Sequence, residues 1–489
     1  MPESMSFSLT QLNISLLIPM SISLLGGIVL LGVGVFNKIK SRDLYITIAL
    51  LFVIVNLGFL ILEADPHFAP GFFGMLLVDG ISLLAQIIML ITTLILLLFF
   101  MRQNAFDETQ NAEFYALLLF ALVGFSFMVS SQNLILILLG LETASLSIYA
   151  LIALHNKQVA FEASIKYFVM GALATAFYAF GAMLLYATTG SVNLVSIAKF
   201  LLQHNYEPSI LVFAGFTFLV AAFGFKISMV PFHTWVPDVY EGSNSLLAAF
   251  IAIVPKIAAF SVIISVFSIF LKSHSPFVEY TLYTLVVLSI TLPNLVALAQ
   301  KDVKRMLAYS SISHSGFVLA AILIGTQEAF SIVFLFLYWI LFLFANLGAF
   351  GILWLSADSK YNHSFKSFSG MIKTNPTLAI FLSLFMFALA GIPPFSVFWG
   401  KMYLILEALS ADYIFLALVM VANSTIAGFY YLKLVVYVFA KDSNGIGDYQ
   451  PPLELSSKVA IGICAIMSVG CMFMVQNLLD IISYYLKIY

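Results

Sequence analysis

The sequence predicts an all-α polytopic membrane protein of about 14 transmembrane helices, with two inverted five-helix repeats, each containing one broken helix. Three observations predict this class. Of 489 residues, 62% are hydrophobic and 9% charged, against roughly 25% charged in soluble domains. Apolar runs of about 20 residues recur along the whole length, each able to cross a ~30 Å hydrocarbon core as a helix. Two of these runs are over-long and interrupted by the same Pro-Phe and Trp pattern.

The 21 basic and 23 acidic residues are too few to cover a water-facing surface on this chain, and the net charge is −2. Those values exclude a cytosolic enzyme, a disordered regulator and a basic nucleic-acid binder, so the lipid bilayer is a partner and nucleic acid is not. Strands of a membrane barrel would be about 10 residues long and alternating, which these runs are not. Cys464 and Cys471 share one apolar run and supply neither a disulfide framework nor a metal cluster.

The spans fall at roughly 12–36, 43–63, 76–101, 113–130, 133–154, 162–188, 209–239, 245–271, 277–299, 303–324, 328–356, 374–409, 411–440 and 456–486. The start, Met-Pro-Glu-Ser-Met-Ser, has no basic region or small-residue cleavage site, so the first run reads as a permanent span. Lys38, Lys40 and Arg42, then Lys301, Lys304 and Arg305, then Lys360, Lys366 and Lys373 all fall on one side if the spans alternate. The positive-inside rule makes that side cytoplasmic and puts both termini on the outer side. The opposite side receives Glu63-Ala-Asp65, the turn Ser130-Ser-Gln-Asn133 and the segment 189–208.

The interrupted spans carry Lys226-Ile-Ser-Met-Val-Pro231-Phe232-His233-Thr-Trp235 and Gly391-Ile-Pro-Pro394-Phe395-Ser-Val-Phe-Trp399-Gly-Lys401. A second echo pairs Glu162-Ala-Ser-Ile-Lys166-Tyr-Phe with Glu328-Ala-Phe-Ser-Ile-Val-Phe. The shift between copies is five spans, an odd number, so the copies lie upside down relative to one another. Inverted repeats with broken helices mark transporters; a simple proline kink with chance similarity is the alternative. The expected divisions are an N-terminal three-helix segment (1–112), a first five-helix repeat (113–271), an inverted second repeat (277–440) and a C-terminal transmembrane helix (441–489).

A few charges stand inside the spans. Glu142 is nine residues into its span, about 13 Å along a helix. Lys226 precedes the first break by five residues, Lys256 directly follows Pro255, and Lys401 follows the second break. Lys166 is shallower, one turn after Glu162. His233 and His314 also lie in apolar spans. A charge at mid-membrane is costly and is normally paired or hydrated. Burial favours the neutral form of a lysine and a nearby carboxylate restores the charged one. Three deep lysines without a matching set of deep acids therefore fit a chain of proton sites better than static salt bridges. The alternatives are a fixed Glu142–Lys226 pair, snorkelling of Lys256 and Lys401, a helix-end Glu162–Lys166 pair, and hydrogen-bonded packing of His233 and His314. Glu407 and Asp412 bracket a short turn and read as solvated. No nucleotide-binding, metal-binding, haem or iron–sulfur pattern occurs.

The segments Gly-Phe-Lys226-Ile-Ser-Met-Val-Pro-Phe-His-Thr-Trp-Val-Pro-Asp238-Val-Tyr-Glu-Gly, Glu162-Ala-Ser-Ile-Lys166-Tyr and Lys304-Arg-Met-Leu-Ala-Tyr309-Ser-Ser-Ile-Ser-His314 resemble the antiporter-like membrane subunits of respiratory complex I. Those subunits have relatives in multisubunit cation/proton antiporters. The Glu162 segment and Lys401 resemble one subunit type within complex I in particular. The resemblance implies proton translocation coupled to electron transfer to quinone carried out by other subunits. The partners would be other membrane-arm subunits. NADH or another electron donor, flavin, iron–sulfur clusters and quinone would belong to the complex, with no cofactor in this chain. It also implies that Glu142 and Lys226 form a switching charge pair, Lys256 a central relay site and Lys401 the exit site, with Lys166 and His314 as further relay members. Ser311 falls near the position aligned with Glu142, so only one half carries the acid. A subunit of a Na⁺/H⁺ antiporter is the alternative, and a purely structural scaffold is a third reading.

Overall fold

The computed structural model describes residues 12–36, 41–62, 70–101, 107–204, 209–325, 328, 330–356, 363–440 and 454–488. Its helices are α1 (Ile18–Phe36), α2 (Arg42–Leu62), α3 (Gly80–Phe100), α4 (Ala112–Val129), α5 (Leu134–Ala153), α6 (Gln158–Thr189), α7 (Leu194–Gln203), α8 (Ile210–Lys226), α9 (Trp235–Gly242), α10 (Ser245–Leu271), α11 (Pro276–Leu298), α12 (Val303–Ile324), α13 (Phe330–Leu355), α14 (Met371–Thr374), α15 (Pro376–Ala390), α16 (Ser396–Ser410), α17 (Ile414–Ala440) and α18 (Leu455–Leu486). Lys38, Lys40, Glu63, Asp65, Lys360 and the first eleven residues lie outside the described residues.

Short polar side chains start several of these helices. Asp79 accepts from the Ser82 amide at 2.8 Å, Asn133 from Ile135 at 2.9 Å, Asn244 from Leu247 at 2.7 Å and Asp302 from Arg305 at 2.9 Å. Each bond satisfies an amide that a first helical turn leaves without a backbone partner. The Asp79 cap places the start of the third span at 80 rather than 76.

Among the described residues, twelve helices are long and apolar enough to cross a membrane. Helix α8 continues through irregular backbone at 227–234 into α9, and α15 through 391–395 into α16, completing two broken crossings. The fourteen crossings match the expected spans within a few residues. Helix α7 was not expected: Asn193 caps it, and it buries Leu194, Ile197 and Leu201 on one stripe.

Neighbours recur five crossings apart. Helix α4 packs on α5, α5 on α6, and α6 on α8 and α9; α11 packs on α12, α12 on α13, and α13 on α15 and α16. The first two helices of the first set cross very closely. A Cβ on Gly124 would stand 2.4 Å from the Ala144 nitrogen and 2.6 Å from the Gly140 oxygen, so only glycine fits there. Between the two sets runs α10, in which every residue from Ser245 to Ile264 is buried.

The turns gather on two opposite faces. On one, the Leu77 amide donates to Ser130 O (2.8 Å), Leu194 to Gln132 O (2.9 Å) and Phe72 to Leu12 O (3.3 Å). The end of α18 joins this face, with Tyr485 O closing over Gly80. On the other, Val303 donates to His363 O (2.8 Å), Phe365 to Lys301 O (3.1 Å) and Gly370 to Tyr437 O (3.0 Å). Lys301, Lys304, Arg305, Lys366 and Lys373 all belong to this second face, as alternation of the spans requires.

His363 makes that second face pH-sensitive. Burial first, then nearby Lys304 and Lys157, hold its imidazole well below the usual histidine range. The native state thus takes up a proton less readily than the unfolded chain. Stability is complete above the unfolded value of about 6.5 and is lost as pH falls from there toward the folded value, by up to ~1.4 kcal/mol per pH unit. The thermal midpoint of the purified protein is expected to drop between pH 7 and 5.5, and a His363→Phe variant to flatten that slope. An equal slope in both would refute the assignment.

Candidate functional site

The two breaks and the helices packed on them place a row of ionisable groups inside the bundle. Lys226, Lys256, His314 and Lys401 are each at most 5% exposed. What the sequence leaves open is whom they touch.

Glu142, ninth residue of α5, accepts a hydrogen bond from the Thr175 hydroxyl on α6. Lys226 ends α8, and its Nζ donates to Ser145 Oγ at 2.8 Å. Ser145 is three residues beyond Glu142 on α5 and donates its own proton to Leu141 O at 2.5 Å, so Lys226 is held by a hydroxyl and no ion pair joins it directly to Glu142. The carboxylate still acts on the ammonium electrostatically. The broken backbone after Lys226 is satisfied by protein, as an apolar medium demands. The Val230 amide donates to Ser289 Oγ (3.0 Å), and Trp235 Nε1 donates to Phe225 O (3.1 Å).

Lys256 donates to Ser311 O at 2.9 Å, Ser311 Oγ at 2.8 Å and Ser315 Oγ at 3.0 Å. Three N–H donors thus meet three neutral acceptors, with no carboxylate among them. Ser311 Oγ also lies 3.2 Å from the Tyr240 hydroxyl of α9. Ser311 is the ninth residue of α12, as Glu142 is of α5. The hydroxyl therefore holds, beside the central lysine, the place that the acid holds beside Lys226.

His314 continues the row one turn further. Its Nδ1 lies 2.6 Å from the Tyr338 hydroxyl and its Nε2 3.2 Å from that of Tyr431. Tyr431 is in turn hydrogen-bonded to Ser310. Lys401 and Lys256 both act on His314 electrostatically. Lys401 Nζ donates to Ala390 O at 2.9 Å, the last carbonyl of α15, and lies 5.4 Å from the Phe317 ring centre. Gly391, at φ 80°, turns the chain there and leaves space for the Lys401 stem. A cavity of about 460 Å³ opens beside Lys401, lined also by Met402, Ile405, Val421, Ser424 and Thr425.

Lys166 is apart from this row. It lies on the second face, 2.7 Å from Glu162 and 3.1 Å from Asp238, with its side chain 44% exposed. His233, in the first break, has Nδ1 without a hydrogen-bond partner. Glu407, expected to be solvated, is half-buried against α13, where Ser331 Oγ donates to it at 3.4 Å; Asp412 is exposed. The sequence reading missed Ser145, Thr175, Tyr240, Ser315, Tyr338 and Tyr431. The one sequence signal for any of them is the run Ser310-Ser-Ile-Ser-His-Ser315, unusually polar for the middle of a span. Among the described residues, no group of three or more His, Cys, Asp or Glu could hold a metal ion.

Residues 131–427 match the family model described as NADH:quinone oxidoreductase/Mrp antiporter, transmembrane. The chain is 72% identical to NADH-quinone oxidoreductase subunit N of Helicobacter hepaticus, over 99% of this chain and 100% of that one. It is 47% identical to the subunit N of Sulfurimonas denitrificans, over 99% and 98% of the two chains. A chain of respiratory complex I from Thermus thermophilus with bound aureothin superposes with a TM-score of 0.81 at 29% identity, covering 95% of this chain and 99% of that one. A chain of the Mrp complex from Dietzia shares the fold, with a TM-score of 0.81 at 19% identity over 96% and 97%.

Proposed function

The chain belongs to the NADH:quinone oxidoreductase/Mrp antiporter transmembrane family, and on that premise we propose that Glu142, Lys226, Lys256, His314 and Lys401 carry protons through it. It serves as a membrane-arm subunit of respiratory complex I, of the subunit N type, and translocates protons. Electron transfer to quinone is the work of other subunits, which hold the flavin and iron–sulfur clusters, and neighbouring membrane-arm subunits are its partners. The relay units are 113–271 and 277–440, flanked by the segments 1–112 and 441–489. The basic second face is cytoplasmic and both ends are periplasmic, by the positive-inside rule.

One observation carries the relay reading: three buried ammonium groups are held by hydroxyl and carbonyl oxygens instead of carboxylates. A static structural charge would need a counter-charge in such a medium. Neutral partners allow each lysine to be charged or neutral without stranding an opposite charge. Approach of the Glu142 carboxylate favours the charged form of Lys226, and its withdrawal favours release toward Lys256. Lys401, beside an open cavity, is the exit group. Lys166 belongs to the cytoplasmic approach, since it sits outside the buried row.

In a reconstituted complex, Glu142→Gln is expected to assemble and to lower coupled turnover about tenfold or more. Quinone reduction and proton uptake measured together check this. Unchanged proton yield and turnover would count against the relay. Sodium-coupled transport without any redox partner would favour an antiporter subunit instead.

A further inference from the structure

The ion-pair cluster on the second face has no part in the buried row. Lys166 of α6 binds Asp238 of α9 at 3.1 Å and Glu162 at 2.7 Å. Arg305 of α12 binds Asp238 at 2.9 Å and Glu241 at 2.5 Å. Its neighbour Lys304 donates to Glu241 O at 3.1 Å and to Ser243 O at 2.5 Å, at the C-terminal end of α9 and the residue that caps it, where a cation is favoured. Apart from the Lys166–Glu162 pair within α6, these contacts hold one short element. Helix α9 has eight residues and follows the irregular backbone at 227–234.

The same α9–α12 contact has a second, buried end. Tyr240 lies between Asp238 and Glu241 in sequence, and its hydroxyl is 3.2 Å from Ser311 Oγ. That oxygen accepts from Lys256 at 2.8 Å. Ser311 lies six residues beyond Arg305 on α12, roughly 9 Å along the axis. On its other side α9 is fixed to α6 by Trp235, stacked on Tyr167 at 4.3 Å and 12°. The contact with α12 thus has an ionic outer end and a hydroxyl inner end, joined through an element only two turns long.

We propose that Arg305, with Asp238 and Glu241, forms a clasp that sets the register of α9 on α12, and that Arg305 is a positioning residue for proton passage from Lys226 to Lys256. Arg305 suits this because one guanidinium engages both acids of α9. Its bonds are half-exposed, so they are individually weak and screened by salt. A weak clasp can release α9 during turnover, and a shift of α9 moves the Tyr240 hydroxyl away from Ser311. The inference rests on the relay reading given above.

The test uses the whole reconstituted complex and reads protons taken up per quinone reduced, with Lys256→Ala in parallel. Arg305→Gln is expected to assemble and to lower that yield about threefold, with Arg305→Lys restoring most of it. Raising salt to about 0.5 M is expected to lower the wild-type yield but to leave Arg305→Gln unmoved. A wild-type yield in Arg305→Gln beside an impaired Lys256→Ala would overturn the clasp and spare the relay. A salt-insensitive wild type would overturn it however well the variant assembles. A silent Lys256→Ala would instead bring down the relay reading, and the clasp with it.

Discussion

A Lys256→Ala subunit is expected to assemble into its complex and to lose proton transfer between its two halves. Lys256 sits on the helix that separates the two packed sets, 1% exposed, with its nitrogen hydrogen-bonding α10 to Ser311 and Ser315. Removing the amine leaves those groups with partners at hand: Ser315 Oγ already donates to Ser311 O at 3.0 Å, and Tyr240 reaches Ser311 Oγ. No buried charge is stranded, because the acceptors are neutral. Holding an ammonium out of water costs several kcal/mol, and an apolar side chain of similar volume removes that cost. Lys256→Met therefore separates charge from volume: its stability is expected to equal or exceed that of the wild type. Both variants are expected to lower coupled proton uptake by about a hundredfold at this step, the scale of losing a positioned acid–base group. Dye-reported proton uptake in proteoliposomes, normalised to subunit content by immunoblot, checks this. Normal uptake in Lys256→Met would remove the residue from the path.

The second large effect is structural. Gly124→Leu is expected to eliminate the subunit from the membrane. Its Cβ alone would meet the Ala144 nitrogen at 2.4 Å and the Gly140 oxygen at 2.6 Å, both backbone atoms that no rotamer change can move. Helices α4 and α5 must then separate along a contact whose energy in a membrane is mostly close packing. Overpacking costs about 1–3 kcal/mol even where side chains can yield, and here they cannot. Helix α5 also carries Glu142 and Ser145, so any surviving complex is expected to couple poorly. Gly58→Ala is the control, since a Cβ there meets nothing within 4 Å. Subunit content in purified membranes decides; equal content in Gly124→Leu and wild type would refute the packing account.

The fold was legible because the bilayer imposes one simple demand, apolar runs long enough to cross it, and fourteen of them stand in the sequence. The broken spans were legible because Pro231 and Pro394 stand where a helix cannot continue. Lys226, Lys256 and Lys401 were legible as charges in the wrong solvent. Their partners were not. Whether Lys226 meets Glu142 or Ser145 depends on which way two side chains of one helix face, less than one turn apart. Tyr338 and Tyr431 reach His314 from α13 and α17, and the register of those helices against α12 is not written in any single segment. Lys166 shows the same limit. Its bond to Glu162 follows from spacing, while Asp238 arrives from α9 and makes the pair part of a larger cluster.

The complete burial of α10 from Ser245 to Ile264 bears on how the subunit behaves at rest. Lys256 is sheathed like the core of an insulated cable, with neither lipid nor bulk solvent against its helix over that stretch. On the proposed relay, its proton is refilled or drained through the Ser311 and Ser315 groups at its tip. On that reading an idle complex resists short-circuiting of the gradient at its centre, and back-leak follows how seldom those O–H groups reorient rather than the thickness of the membrane.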